Sequence, residues 1–235
     1  PRGVCGQRKL TSAPQSRREN MTDPFSVANS PAQLREDLLA TITAIALDAG
    51  EKIMEVYGRD FEVAIKPDES PVTEADTLAE ALITERLQAA FPDVTIIAEE
   101  AVAGGHAPEC GDKFFLVDPL DGSKEFIARN GEFTVNIALI HSGVPVAGVV
   151  YAPALGRIWW GAEGFGAWVA EVFDGAMEHR SAIAVRPEPA FGLTLVSSRS
   201  HGSEGDDDRL TAFNIADCAA VGSSLKFCLV AEGQA

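Results

Sequence analysis

Two aspartates and a serine stand in the run Asp118-Pro-Leu-Asp121-Gly-Ser123, directly after the apolar stretch Phe114-Phe-Leu-Val117. Side chains of this kind can hold a hard cation and place a water beside it. The apolar stretch reads as a buried strand. Pro119 is expected to end it and Gly122 to permit a sharp reversal, so that the carboxylates of Asp118 and Asp121 converge. Carboxylates so close repel unless a cation lies between them. An oxygen-only set suits magnesium, whereas zinc recruits histidine or cysteine, and neither occurs in Asp118–Phe126. A second apolar run, Val94–Ala98, ends in Glu99-Glu100; if the two strands are neighbours, Glu99 reaches the same face as Asp118. Taken singly, the aspartate pair also reads as a capped turn and Glu99-Glu100 as a solvated strand end. A structural calcium turn is disfavoured, because an EF-hand loop needs further ligands at alternating positions and a closing glutamate.

The elements that must position these residues flank them. Upstream, Thr73 and Asp76 have capping-box spacing ahead of Leu78, Leu82, Ile83, Leu87 and Ala90, an amphipathic helix that Pro92 terminates. Asp76 therefore has two readings: a helix cap, or an ionised carboxylate able to orient an attacking water. Before it, Ser30-Pro31-Ala-Gln33 reads as the start of a long helix with Leu34, Leu38, Ile42, Ile45, Ala49, Ile53 and Val56 on one face, up to Gly58. Strands are expected at 94–98, 113–117, 133–140, 145–151 and 157–160, with Ser142-Gly143 as a hairpin turn, and shorter ones near 181–186 and 193–198. The succession suggests an antiparallel or mixed sheet. Gly161–Gly166 reads as a bend, since its spacing does not match a nucleotide-cradling loop, and Asp206–Asp208 as a solvated helix start. Gly222-Ser223-Ser224 introduces a helix over 225–232, whose start is either a serine cap or an anion site. Lys124 is read as an exposed lysine rather than a catalytic one.

Composition excludes several classes. The 235 residues are 46% hydrophobic and 23% charged, enough for a sizeable core. A formal charge of −16 would repel a nucleic-acid polymer, and a small anionic substrate would need metal ions to be admitted. Cys5, Cys110, Cys218 and Cys228 have no paired spacing and read as reduced thiols, and His106, His141, His179 and His201 lack ligand spacing. No apolar run approaches membrane-spanning length. Residues 1–29 are expected to form a disordered N-terminal extension, its first twenty residues lying upstream of a natural start at Met21. The prolines of Arg186-Pro-Glu-Pro189 divide an α+β metal-binding half, 30–186, from a partial α/β half, 187–235.

Four segments then carry a resemblance. Pro71–Asp76, Ala98–Glu100, Asp118–Phe126 and Gly131–Leu139 occur in the order seen in the inositol monophosphatase superfamily. Lys124-Glu125-Phe126, Val149–Pro153 and Gly222–Gly233 resemble its 3′(2′),5′-bisphosphate nucleotidase branch, and the similarity runs from about Leu34 onward. The resemblance implies a layered αβαβα sandwich of the sugar-phosphatase type, its C-terminal part incomplete. It implies a magnesium-dependent phosphatase, holding two or three ions and inhibited by lithium, that converts adenosine 3′,5′-bisphosphate to AMP and so recycles a by-product of sulfate assimilation. By this resemblance Glu99, Asp118 and the Leu120 carbonyl hold one magnesium, Asp118 and Asp121 share a second, and Ser123 with Asp76 positions the water. Lys66 touches metal-bound water, while Gly122, Gly222 and Ser223 face the substrate with Glu99, Leu120, Asp121 and Ser123. Ser123 stands where the family usually has threonine, keeping the hydroxyl and losing the methyl that restricts its rotamer. The family's Trp-Asp-x-Ala-Ala-Gly segment would follow Ala235, so the expectation for this polypeptide alone is weak activity or none. Inositol-1-phosphate hydrolysis, or a catalytically inert metal- or nucleotide-binding module, are the alternatives. A cytoplasmic enzyme is implied, with peripheral contact to the inner membrane and homodimerisation left open.

Overall fold

The structure, a computed structural model, describes residues 31–66, 69–199 and 210–235. The expectations for 1–29 and for Asp206–Asp208 fall outside them. Two long helices come first, α1 (Pro31–Tyr57) and α2 (Glu74–Ala90), separated by the short antiparallel strands β1 (Val63–Ile65) and β2 (Pro71–Thr73). A mixed seven-stranded sheet follows: β3 (Thr95–Ala98), β4 (Lys113–Asp121), β5 (Thr134–His141), β6 (Val144–Ala152), β7 (Arg157–Ala162), β8 (Gly166–Phe173) and β9 (Ala176–Ile183), in that spatial order. β3 runs parallel to β4, and every other neighbouring pair is antiparallel. A separate parallel pair, β10 (Leu193–Ser198) and β11 (Ile215–Val221), leads into a terminal helix over Leu225–Ala231. Three short helical segments interrupt the strands: α3 (Glu99–Ala103), α4 (Ser123–Ile127) and a 3₁₀ turn (Pro153–Leu155). The Leu225–Ala231 helix is therefore α5.

The periodicity of α1 is realised as read. Leu38, Ile42, Ile45, Ala49, Ile53 and Val56 are buried against α2 and the sheet, each large aliphatic contributing roughly 1.5–3 kcal/mol of transfer free energy. α2 differs. Its buried face is Ala75, Asp76, Ala79, Glu80, Ile83 and Leu87, whereas Leu78 is 45% exposed and Ala90 is also exposed. The helix is rolled so that two acidic residues lie on its inner face, which the apolar pattern alone did not disclose.

Two hairpins close with paired left-handed residues. Ser142-Gly143 has φ of 52° and 75°, as its sequence suggested, and Asp174-Gly175 has φ of 48° and 76°. The second joins β8 to β9; β8 was missed in the sequence although Asp-Gly marks its end, and the strand expected near 181–186 is in fact 176–183.

β4 corrects another expectation, for it does not stop at Val117. It continues through Pro119 to Asp121, with Asp118 paired to Asn136 and Asp121 to Thr134, so Pro119 and Leu120 together face only Val135. Proline has no N–H to offer and fits where the ladder is already broken. The extra residue matters to the site, since residues three apart on a regular strand point to opposite faces. The bulge returns Asp118 and Asp121 to the same side.

Candidate metal centre and active site

β3 and β4 are parallel with Ala98 opposite Val117, so the next residues, Glu99 and Asp118, emerge side by side at the sheet's C-terminal end. Glu99 opens the short helix α3 rather than a solvated strand end. Ala98 supplies no side-chain cap, and the buried Glu80 of α2 does so instead: its Oε2 accepts from the Glu100 N–H at 2.7 Å and its Oε1 from the Ala101 N–H at 2.8 Å. Burial pushes the Glu80 carboxyl above its usual range, against the pull of those two bonds. A carboxylate on a helix N-terminus is a favourable pairing, and here it fixes the direction of Glu99.

A polar cavity of about 250 Å³ collects Lys66, Glu99, Asp118, Leu120, Asp121, Gly122, Ser123, Lys124, Ser223 and Lys226 in its wall. Of the residues singled out in the sequence, it brings together all but Asp76 and Gly222, which lie immediately behind it. Asp76 is 1% exposed; its Oδ2 accepts from the Thr73 N–H and hydroxyl, both at 2.8 Å, and its Oδ1 accepts from the Ser123 hydroxyl at 3.2 Å. One oxygen of Asp76 therefore caps α2 and the other faces Ser123. Burial raises its pKa, opposed by the Thr73 and Ser123 bonds.

Lys66 is buried at its side chain, and its ammonium bonds Glu99 Oε1 at 2.9 Å and Glu100 Oε1 at 2.6 Å. Burial works against its charge, but the hydrogen bonds it donates to Glu100 and Glu99 prevail and raise its pKa. Asp118 has the opposite problem. Burial first, then the charges of Glu99 and Asp121 and a hydrogen bond with Glu99, push its carboxyl up to about 9. Its Oδ1 is buried with no hydrogen-bond partner. Among the described residues no three or more histidine, cysteine, aspartate or glutamate side chains stand, as placed, close enough together to hold a metal ion. A mutually repelling, oxygen-only donor set with an orphaned carboxylate oxygen nevertheless fits a hard divalent ion, with Glu99, Asp118, Asp121 and the Leu120 carbonyl as donors.

The far wall is the turn Gly222-Ser223-Ser224. Gly222 admits no side chain: an added Cβ would lie 2.6 Å from Glu125 Cγ and 2.8 Å from the Glu132 carbonyl oxygen. Its N–H bonds Glu132 Oε2 at 2.8 Å, and Arg199 holds that carboxylate with contacts of 2.9 and 2.7 Å. Ser223 is left-handed, φ 50°, and its buried hydroxyl has no partner. Ser224 is not the expected serine cap; its hydroxyl bonds Asp121 Oδ2 at 2.6 Å. A second, larger groove of about 490 Å³ runs beside β5, β6 and α5, but its wall is almost wholly apolar, including Val149, Trp159 and Trp160, and lacks cations for an anion.

Glu80, Glu132, Asn136 and Lys226 were not singled out in the sequence, and the contact of Ser224 to Asp121 was not foreseen. Glu80 could have been, as a charge one turn after Asp76 on the stripe that continues through Ile83 and Leu87; Asn136 could have been, as an amide inside an apolar strand. Ser224 was read only as part of a capping or anion-binding turn, and Glu132 only as part of the segment Gly131–Leu139, so neither carried a role of its own. Among the described residues no helix is long and apolar enough to cross a membrane.

The profile of the Inositol monophosphatase family matches residues 34–235. The chain is 44% identical over 200 residues to the 3′(2′),5′-bisphosphate nucleotidase CysQ of Salmonella typhimurium and 43% identical to that of Escherichia coli K12, covering 84% of this chain and 78% of each relative. The crystal structure of CysQ from Bacteroides thetaiotaomicron, described as a bacterial member of the inositol monophosphatase family, superposes with a TM-score of 0.68 at 36% identity, covering 86% of this chain and 78% of that one. With the mixed sheet, the bulged acidic strand end and these similarities in hand, the chain belongs to the inositol monophosphatase family.

Proposed function

We propose that the chain is a magnesium-dependent phosphatase that removes the 3′-phosphate of adenosine 3′,5′-bisphosphate, giving AMP and phosphate. The observation that carries this reading is the juxtaposition, in one polar cavity, of the Glu99, Asp118 and Asp121 carboxylates with the Ser123–Asp76 hydrogen bond. Glu99, Asp118, Asp121 and the Leu120 carbonyl would hold the ions. When bound, magnesium supplies Lewis acidity toward the phosphoryl oxygens. Ser123 donates to Asp76, so its lone pairs are left to receive a hydrogen from an attacking water. As the water oxygen bonds to phosphorus and the bond to the 3′ oxygen breaks, the water's proton passes through Ser123 to Asp76, whose burial has prepared it to accept, and the departing 3′ oxygen takes a proton from a solvent water to become the 3′-hydroxyl of AMP. No covalent enzyme intermediate is needed.

The substrate is an anion approaching a chain of formal charge −16, and Lys66, Lys124 and Lys226 supply the positive charge at the cavity wall. The orphaned Ser223 hydroxyl and the Gly222 turn stand where the nucleoside part would lie. On this reading the metal-binding residues belong to 30–186 and the nucleoside-facing turn to 187–235, lithium inhibits, and the enzyme recycles a by-product of sulfate assimilation in the cytoplasm. The nucleotidase relatives support the nucleotide as substrate. Magnesium-dependent phosphate release, compared as kcat/KM for adenosine 3′,5′-bisphosphate and inositol-1-phosphate, tests it. Preference for the nucleotide is expected; equal or reversed constants would move the chain to the inositol side of the family.

A further inference from the structure

Asp121 is held from behind by two residues that belong to neither the acidic cluster nor the water-handling pair. The Ser224 hydroxyl lies 2.6 Å from Asp121 Oδ2, and Asn136 Nδ2 lies 3.0 Å from that same hydroxyl and 3.5 Å from the same carboxylate oxygen. A serine has one hydroxyl proton, which Ser224 gives to Asp121 Oδ2, so its oxygen is left to accept from the Asn136 NH₂. The direction is fixed along the whole chain: Asn136 donates to Ser224, and Ser224 donates to Asp121.

The three residues come from three separate places. Asp121 follows the bulge of β4, Asn136 stands on β5 opposite Asp118, and Ser224 precedes α5 some hundred residues later in the chain. The turn that carries Ser224 is itself pinned, by Glu132 on the Gly222 N–H and by the Lys226 ammonium on the Ser223 carbonyl. With Oδ2 engaged, Oδ1 is the Asp121 oxygen left for the cavity. We infer that Ser224, oriented by Asn136, is a positioning residue that fixes the rotation of the Asp121 carboxylate and so sets divalent-cation affinity.

This inference rests on the reading of Asp121 as a cation ligand, and the test separates the two. The probe is Mn²⁺ binding to the 235-residue chain, followed by the electron paramagnetic resonance signal of the free ion, with no turnover required. Loss of an outer hydrogen bond to a ligating carboxylate typically weakens metal binding tenfold or more, so Ser224→Ala is expected to weaken Mn²⁺ by roughly tenfold. Ser224→Thr keeps the hydroxyl and is expected to stay within about threefold of the unchanged chain. Asn136→Leu removes the orienting donor and is expected to fall in between. Far-UV circular dichroism reports whether each variant is folded. Wild-type affinity in a folded Ser224→Ala overturns the positioning role while leaving Asp121 a ligand. Equal weakening in Ser224→Ala and Ser224→Thr also overturns it, because the hydroxyl would not be the determinant. If the unchanged chain binds no Mn²⁺, the ligand reading and the positioning role fail together. Should Ser224→Ala not fold, the Thr and Leu variants decide: retention in the first with loss in the second supports the inference, and the reverse order refutes it.

Discussion

Replacing Asp118 by asparagine should separate stability from function. The Asp118 carboxyl is raised from an ordinary carboxylate value to about 9 by burial, by the charges of Glu99 and Asp121 and by its bond with Glu99. Between these two limits the native state holds a proton that the unfolded chain has released, so native stability falls as pH rises. The slope for one such group is at most about 1.4 kcal/mol per pH unit. Across pH 6 to 8 this caps the loss at roughly 3 kcal/mol, and relaxation of the site as Asp118 ionises brings the expected loss to about 2 kcal/mol. The asparagine side chain cannot ionise, yet its amide can donate to Glu99 as the protonated acid does. Asp76, Glu80 and Glu100 are shifted in the same direction, so the difference between the two chains, not the wild-type slope, isolates Asp118. Measured in chelator by thermal and urea unfolding, Asp118→Asn should gain about 2 kcal/mol over wild type on going from pH 6 to 8, or about 4–8 °C in Tm. Magnesium-dependent phosphate release should be abolished. Parallel pH profiles for the two chains would refute the electrostatic account, and substantial turnover by the variant would refute the ligand assignment.

Asp76→Asn should leave Mn²⁺ affinity within a few fold and lower kcat by about a hundredfold or more, since the acceptor for the Ser123 proton is lost; normal turnover would return Asp76 to helix capping alone. Glu80→Ala should cost about 2–3 kcal/mol in urea unfolding, because the Glu100 and Ala101 N–H groups lose their partner. It should also weaken cation binding by loosening Glu99. Gly222→Ala should cost about 1–3 kcal/mol and depress activity more than stability, as its methyl would displace Glu125 or Glu132 beside the cavity; a silent substitution would show the turn to be adaptable.

Much of the fold was readable because the long elements obey one period each. The α1 stripe and the Ser142-Gly143 hairpin leave little choice, the first through burial every three to four residues and the second through two left-handed positions. Pro119 misled because a proline was read as a strand's end, whereas a bulge accommodates it, and whether a bulge forms depends on the partner strand β5. β8 was overlooked because Gly161, Gly164 and Gly166 drew its start into the preceding bend. In the site, Asp118, Asp121 and Ser123 share one local turn that a sequence displays, whereas Glu99 reaches it only through the pairing of β3 with β4. The roles of Ser224 and Asn136 were not legible, because their meaning lies in contacts to Asp121 across 103 and 15 residues of chain, which no local pattern records.

The central claim is that the carboxylates at the ends of β3 and β4 gather divalent ions beside the Asp76–Ser123 pair. Anomalous diffraction from crystals of this chain soaked in Mn²⁺ and phosphate addresses it directly. Anomalous density is expected within ligand distance of Glu99, Asp118, Asp121 and the Leu120 carbonyl, with phosphate next to it on the side of Ser123. Manganese density confined to other acidic surfaces, with the Asp118 cavity empty at an ion concentration that saturates binding in solution, would contradict the account.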